Sequence, residues 1–207
     1  MQLVYNSVTM RLPEIIGISG THGAGKDTLA ALRADKENAL HVTVSDILRA
    51  QLREDGIPLE RSNLIDLSTR WREESGDYGI LATKTIRRYL GEKALHGYNG
   101  LSVVSLRHPE EVRRVKEFGG RVLWVDADPK VRYERIRGSD RGRVDDEKTF
   151  EQFIEEENRE LAPPEGASSS SVNLGAVRPL ADEVVVNNFS TEEEYIDYLV
   201  DRYSLLN

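Results

Sequence analysis

The chain has 207 residues, of which 39% are hydrophobic and 31% charged, which is typical of a single globular α/β domain. Its formal net charge of −8 argues against a nucleic-acid-binding surface over the whole protein, and the lack of cysteine excludes disulfides, thiol nucleophiles and cysteine-bound zinc. No apolar run approaches the roughly 18 residues of a membrane helix, and the first residues do not form a secretory signal. We therefore expect a cytoplasmic monomer or homodimer without nucleic-acid or membrane partners.

The first predicted strand, EIIGISG at 14–20, ends in glycine and is followed by THGAGKDT. Gly20, Gly25 and Lys26 have the spacing of a phosphate-binding loop, G-x-x-x-x-G-K-[S/T]. Glycines let successive backbone N–H groups point at phosphate oxygens, and the positive end of the following helix holds the anion. The pattern predicts that ATP is bound by Gly20, His22, Gly23, Ala24, Gly25, Lys26, Asp27 and Thr28.

The loop departs from this pattern at Asp27, where a serine or threonine usually places a hydroxyl on magnesium. The hydroxyl follows one residue later, at Thr28. A carboxylate beside a polyphosphate is repelled unless a cation lies between them, so we interpret Asp27 as a ligand of Mg²⁺ or of its water. The alternative is an acidic residue in the first turn of a helix, where the helix dipole favours negative charge.

The rest of the chain alternates predicted strands with predicted helices. Since the strands are nearly continuous in apolar residues, we predict an α/β fold with a five-stranded parallel sheet and helices on both faces. The four further strands are expected at 40–44, 101–106, 121–127 and 182–187. Helices are expected from 26, after a Ser45-Asp46 N-cap, over 60–75 and 78–95, from Pro109 to Gly119-Gly120, and after Asp128-Pro129.

Two features are expected near the C-terminal end. A loop is predicted from Pro163 to Pro179, with Ser168–Ser171 as its most flexible part. The last helix is predicted to begin with a capping box from Ser190 to Glu193.

Three stretches outside the loop carry candidate functional residues. TVSDILRAQL (43–52) follows the second strand, and VVSLRHPEEV (103–112) is a strand that ends in an arginine followed by proline. RYERIRGSDRGR (132–143) holds five arginines broken by two glycines. Together with GKDT, these stretches resemble, in the expected order, the nucleoside and deoxynucleoside monophosphate kinases of the adenylate kinase-like superfamily. They also resemble dephospho-coenzyme A kinase-like proteins.

This resemblance implies one P-loop kinase domain over 1–207. Its core would comprise 12–44, 96–131 and 147–207, with a helical acceptor-binding insertion at 45–95 and a short lid at 132–146. In such kinases a lid closes over ATP and keeps water from the reacting phosphate. The lid arginines implied are Arg135, Arg137 and Arg141. The alternative is a solvated basic face balanced by the acidic stretch at 147–160.

The acceptor residues follow from the same resemblance. In the family, the arginine of the stretch after the second strand holds the monophosphate of the acceptor, and the arginine after the third strand contacts both phosphates, which implies Arg49 and Arg107. The planar guanidinium suits this task because it forms two parallel bonds with a phosphate. Asp46 and Arg70 complete the predicted acceptor site, although an exposed helix with an ordinary N-cap also explains Asp46 and Arg49. An amphipathic helix pair likewise explains Arg70.

The metal ligands and catalytic residues follow from the same resemblance. Ser105 stands where a magnesium-binding aspartate often ends the third strand, which favours Asp27 and Asp46 as metal ligands, directly or through water. Asp126 and Asp128 are interpreted as turn and cap residues. The predicted catalytic residues are Lys26, Asp27, Arg107 and Arg141.

These residues predict an enzyme that transfers a phosphoryl group from ATP, with Mg²⁺, to a small phosphorylated acceptor such as a (deoxy)nucleoside monophosphate. An acceptor phosphate is itself a nucleophile and needs no base. A second hypothesis is transfer to a hydroxyl, as in dephospho-coenzyme A kinase, which needs a base such as Asp27 or Asp46. A third is a P-loop ATPase or switch without small-molecule transfer.

Overall fold

The computed structural model describes residues 10–138, 148–162, 165–166 and 168–205. Five strands form one sheet in the order β2-β3-β1-β4-β5, and every neighbouring pair is parallel. The strands are β1 (Ile15–Gly20), β2 (Ala39–Thr43), β3 (Gly100–Val104), β4 (Arg121–Asp126) and β5 (Glu183–Val186). The predicted five-stranded parallel sheet is confirmed.

Helices connect the strands, as parallel pairing requires. They are α1 (Lys26–Glu37), α2 (Val44–Glu54), α3 (Arg61–Ser75), α4 (Ile80–His96), α5 (Pro109–Glu117), α6 (Pro129–Gly138), α7 (Phe150–Leu161), α8 (Leu174–Val177) and α9 (Glu192–Tyr203). Within the described ranges, no helix combines the length and the apolar character needed to cross a membrane.

The core lies on both faces of the sheet. Helices α1 and α9 cover one face, where Ile16 and Ile18 pack. Helices α2 to α5 and α8 cover the other, where Ile15 and Trp124 pack. Because successive side chains of a strand point to opposite faces, a strand buried on both sides is apolar throughout, which is why the strands were recognisable in the sequence.

Two helix caps differ from their predictions. Helix α2 begins at Val44, directly after β2, so Thr43 is the N-cap rather than Ser45-Asp46, and Asp46 accepts a hydrogen bond from the Thr43 N–H (3.1 Å). Helix α9 is capped by Thr191, one residue after the predicted Ser190, and its hydroxyl accepts from the Glu194 N–H (3.2 Å). In both cases the cap is the extended residue before the first helical turn.

The prediction of a loop over 163–179 is wrong for its second half, which contains α8 and a 3₁₀ turn at Arg178–Leu180. Its serine-rich part is also held in place. Ser170 is 1% exposed, its carbonyl accepts from Arg72 (3.2 Å), and its hydroxyl donates to Glu73 (3.2 Å). Serine-rich composition predicts flexibility only where no tertiary partner binds the backbone, and here α3 supplies two partners.

Gly20 permits the close approach of β1 to β4, and we predict a large loss of stability for Gly20→Ala. At a φ of +133°, an added Cβ would collide with the Val125 carbonyl oxygen. We expect the free energy of unfolding to fall by at least about 3 kcal/mol from backbone strain and overpacking together. Urea unfolding measures this change.

Gly91→Ala is the matched control, since an added Cβ there has open space within α4. This variant should gain about 0.5–1 kcal/mol from the better helix propensity of alanine. A Gly20→Ala protein as stable as wild type would contradict the assigned role of Gly20.

Candidate phosphate-binding site

The phosphate loop has the predicted strand–loop–helix arrangement. β1 ends at Gly20 and α1 begins at Lys26. Gly20, Gly23 and Gly25 have φ values of 133°, 77° and 95°, in the left-handed region that favours glycine. The glycine-rich loop therefore leads directly into the N-terminus of a 12-residue helix, an arrangement that is suited to binding an anion.

Neighbouring strands hold this loop in place. The Thr21 hydroxyl donates to Asp126 Oδ1 (2.8 Å) at the end of β4, and Asp126 also accepts from the Ala127 N–H (3.0 Å). Buried Asn187, after β5, donates to the Ala24 carbonyl (2.9 Å). Asp128 accepts from the Lys130 N–H (2.9 Å) at the start of α6, as expected of a cap residue, whereas Asp126 also holds the phosphate loop through Thr21.

Arg132 is a support of the loop that the sequence did not single out. Its guanidinium donates to the carbonyls of Ala127 (2.8 Å) and His22 (3.2 Å). It also forms a bidentate salt bridge with Glu157 of α7 (2.7 and 2.8 Å). The side chain of Arg132 is 3% exposed and that of Glu157 is 10% exposed. Arg132 therefore ties the phosphate loop, the end of β4 and α7 to one another.

Lys26 lies across the loop, with Nζ donating to the carbonyls of Gly20 (3.0 Å) and Thr21 (2.6 Å). Burial and the positive charge of Arg107 lower the pKa of Lys26 to about 8, although the carboxylates of Asp27 and Glu160 act in the opposite direction. Its electrostatic surroundings therefore favour a bound anion, whose charge would restore the protonated lysine.

Arg107 and Lys26 line the same pocket. The pocket is lined by Gly20, His22, Lys26, Ser105, Leu106, Arg107, Glu160 and Leu174. Nη1 of Arg107 lies 3.0 Å from Oε1 of Glu160, a residue on α7 that the sequence did not nominate. The structure thus brings together the predicted loop lysine and the predicted arginine that follows β3, and adds a carboxylate.

The backbone around Arg107 explains how it reaches the loop. Ser105 has a left-handed φ of 67°, unusual for serine, and this turn ends β3 two residues earlier than predicted. The Ser105 N–H donates to Ile18 of β1 (2.8 Å). The Arg107 N–H donates to Glu111 (2.7 Å), which is fully buried and paired with Arg72 (3.0 Å).

The predicted metal ligands do not line that pocket, and of the predicted acceptor residues only Arg107 does. Asp27 is 71% exposed, with Oδ1 3.6 Å from Nε2 of His41 on β2. Asp46 and Arg49 pair with each other (3.0 Å). The Thr28 hydroxyl donates to Glu192 of α9 (3.0 Å).

No group of three or more metal-binding side chains occurs in the part of the chain that the structure describes. Magnesium is commonly held by one or two carboxylates together with substrate phosphates, and exposed Asp27, next to Lys26, fits that arrangement. Asp46 fits it less well, because its oxygens accept from Thr43 and Arg49.

The predicted lid and insertion arginines occupy different environments. Arg135 donates to Asn187 (3.2 Å) and to the Phe189 carbonyl (2.9 Å), and burial lowers its pKa. The guanidinium of Arg137 lies 5.7 Å from the Tyr133 ring centroid. Arg141 lies outside the described residues. Arg70 is exposed on α3.

The sheet order, the loop and the support from β3 and β4 define a P-loop α/β fold of the kinase type. Solved structures with this fold include TT1252 from Thermus thermophilus, with a TM-score of 0.52 and 20% identity over 95% of this chain and 100% of that one. Shikimate kinase from Acinetobacter baumannii has a TM-score of 0.55 and 12% identity over 94% and 92%. At these identities the likeness concerns the fold.

The chain belongs to the UPF0200 family. It is 30% identical over 192 residues to the UPF0200 protein of Methanococcus maripaludis strain S2, covering 91% of this chain and 93% of the relative. It is 32% identical to those of Sulfurisphaera tokodaii (89% and 93% covered) and Pyrococcus horikoshii (86% and 90% covered). No protein-family model matches the chain. The expected P-loop kinase-type fold is confirmed, and the resemblance to nucleoside monophosphate kinases in particular stays a prediction.

Lys26 should give the chain a pH-dependent stability above pH 8. Its pKa of about 8 in the folded chain lies below the usual 10.5, so between these values the unfolded chain binds more protons. The free energy of unfolding should therefore rise with pH in this window, and the rise should be smaller in Lys26→Met. Urea unfolding of both proteins at several pH values from 8 to 10 measures the difference.

Lys93→Met is the control, because its hydrogen bond to Glu14 raises the pKa of Lys93 and keeps it protonated in this window. This variant should retain the rise seen in wild type. An identical pH dependence in wild type and Lys26→Met would refute the assigned environment of Lys26.

The Arg132–Glu157 pair yields a prediction of its own. Glu157→Ala leaves a buried guanidinium without its carboxylate and should lower the free energy of unfolding by about 3–5 kcal/mol. On the same helix, Glu155 forms an exposed pair with Arg159, and Glu155→Ala should cost less than about 1 kcal/mol. Chemical denaturation measures the free energy of unfolding of both variants. Equal losses would show that the Arg132–Glu157 pair does not stabilise the fold more than an exposed pair does.

Proposed function

We propose that this protein is a magnesium-dependent kinase that transfers the γ-phosphoryl group of ATP to a small molecule. The observation that carries the proposal is the meeting of Lys26, on the phosphate loop, with Arg107, from the end of β3, in one pocket. Phosphoryl transfer requires little covalent work from a protein, which positions the reactants and neutralises charge. Lys26, at the end of the glycine-rich loop, and Arg107, which lines the same pocket, supply that charge.

In this proposal the described residues divide the work. The loop amides and Lys26 hold the phosphates of ATP, and Arg107 faces the transferred group. Magnesium supplies further charge neutralisation when bound, next to Asp27. Helices α2 to α4, which correspond to the predicted insertion at 45–95, form the wall of the acceptor site. Arg135 and Arg137 lie on α6, the element that leads into the rest of the predicted lid.

The resemblance to nucleoside monophosphate kinases favours a (deoxy)nucleoside monophosphate as the acceptor. Under this hypothesis Arg49 and Arg107 bind the acceptor phosphate, and Arg49 exchanges its bond with Asp46 for one with that phosphate. A second acceptor class, a hydroxyl compound, is favoured by the Glu160 carboxylate in the pocket. Support for kinase chemistry on this fold also comes from the Acinetobacter baumannii neighbour, which is named a shikimate kinase.

The experiment is incubation of the purified protein with ATP, Mg²⁺ and a metabolite mixture, followed by mass spectrometry of the phosphorylated products. We expect wild type to convert ATP to ADP and to add one phosphoryl group to a specific metabolite. Lys26→Met should reduce kcat by at least about 100-fold, because it removes a charge that stabilises the transition state.

Lys36→Met is the matched control, since Lys36 lies in the last turn of the same helix, paired with Asp35 (3.5 Å). It should retain wild-type activity. ATP turnover that is absent in wild type, or equal in wild type and Lys26→Met, would disprove the kinase proposal.

A further inference from the structure

We propose that Glu160 is the general base of this site and that the phosphoryl acceptor is therefore a small hydroxyl compound rather than a phosphate. The inference rests on the proposed kinase function and specifies its substrate class. It assigns to Glu160 the role for which the sequence suggested Asp27 or Asp46.

Glu160 is placed where an acceptor would meet the transferred phosphoryl group. It lines the same pocket as Gly20 and Lys26, and its Oε1 lies 3.0 Å from Nη1 of Arg107. Its charge acts on Lys26, raising the lysine pKa against the effect of burial. A carboxylate has about four lone-pair sites, so binding Arg107 is compatible with accepting a proton from a hydroxyl.

The surrounding contacts hold Glu160 in position. One turn earlier on α7, Glu157 binds Arg132, which in turn binds the His22 carbonyl of the phosphate loop. At the other end, the Leu161 carbonyl packs so closely on Gly175 of α8 that a Cβ at Gly175 would collide with it. A carboxylate fixed relative to the loop meets the main requirement of a base, which is constant geometry.

Charge decides between the two acceptor classes. An acceptor phosphate would bring a further negative charge beside both the γ-phosphate of ATP and the Glu160 carboxylate, and like charges a few ångströms apart repel strongly in a partly buried site. It would also need further donors from Arg107, which already pairs with Glu160 and faces the transferred group. A neutral hydroxyl has neither cost, because it donates a hydrogen bond to the carboxylate and leaves the Arg107 pair intact.

The other carboxylates are less suited. Asp46 accepts from the Thr43 N–H and from Arg49, at the start of α2. Asp27 is 71% exposed and lies beside His41. Neither residue lines the pocket that holds Lys26 and Arg107.

The step is balanced as follows. Glu160 takes the proton of the acceptor hydroxyl while the hydroxyl oxygen forms a bond to the γ-phosphorus of ATP. The bond between that phosphorus and the bridging oxygen breaks, and ADP leaves with the electron pair. The products are a phosphate monoester, ADP and a proton held on Glu160 until it passes to solvent.

The test uses water as the simplest hydroxyl acceptor, so it does not depend on knowing the substrate. Basal hydrolysis of ATP with Mg²⁺ is measured for wild type, Glu160→Gln and, as a control on the exposed side of α7, Glu155→Gln. We expect Glu160→Gln to lower kcat by at least about 100-fold while the KM for ATP stays within a few-fold, and Glu155→Gln to match wild type.

A second measurement needs no variant. Wild type is given ATP with a panel of hydroxyl compounds, including nucleosides and dephospho-coenzyme A, and with the corresponding monophosphates, and the products are identified by ³¹P NMR. We expect a phosphate monoester. A phosphoanhydride product, or a Glu160→Gln protein that hydrolyses ATP as fast as wild type or faster, would overturn the role of Glu160 while leaving the kinase function standing. Failure of wild type to bind ATP in calorimetry would refute both.

Discussion

The candidate site depends on three neighbouring parallel strands, β3, β1 and β4, whose carboxyl ends lie side by side. β1 lies between β3 and β4, so the loop after β1 is hydrogen-bonded from both sides. On one side the Ser19 hydroxyl donates to the Leu106 carbonyl (2.6 Å), and on the other the Thr21 hydroxyl donates to Asp126 (2.8 Å). These bonds fix the loop before any ligand arrives, so that its amides do not have to be ordered when an anion binds.

Although the chain is acidic overall, its positive charges are concentrated at the phosphate loop. The net charge is −8, yet Lys26, Arg107 and Arg132 gather at the loop. Helix α7 supplies the balancing carboxylates from the opposite side, as Glu157 pairs with Arg132 and Glu160 with Arg107. The first pair is buried and fixes the helix to the loop, whereas the second is partly exposed in the pocket. One helix therefore supplies both a structural carboxylate and the carboxylate that we propose as the base.

Much of the fold followed from local patterns. All five strands were predicted to within two residues, because the central strands are buried on both faces and nearly continuous in apolar residues, and β5, although partly exposed, contains three consecutive valines. The start of α1 at Lys26 also followed from the glycine spacing. The predictions failed where tertiary contacts override composition, as at Ser170, which Arg72 and Glu73 hold in place. The surroundings of the phosphate loop show the same difference: Arg107, which lines the pocket, was nominated through its motif, whereas Arg132 and Glu160 were not nominated.

The sequence by itself determined the class of the sheet, the phosphate loop and the side chains that a loop of this kind presents, since these depend on residues close together in the chain. Only the tertiary structure decided which charges meet. Arg132 and Glu157 are 25 residues apart, and Arg107 and Glu160 are further apart still, so their pairing depends on how α7 packs against α6 and α8. Ion pairs between residues so far apart cannot be recognised from a periodic pattern in the sequence, because each partner alone looks like an ordinary charged residue on an exposed helix.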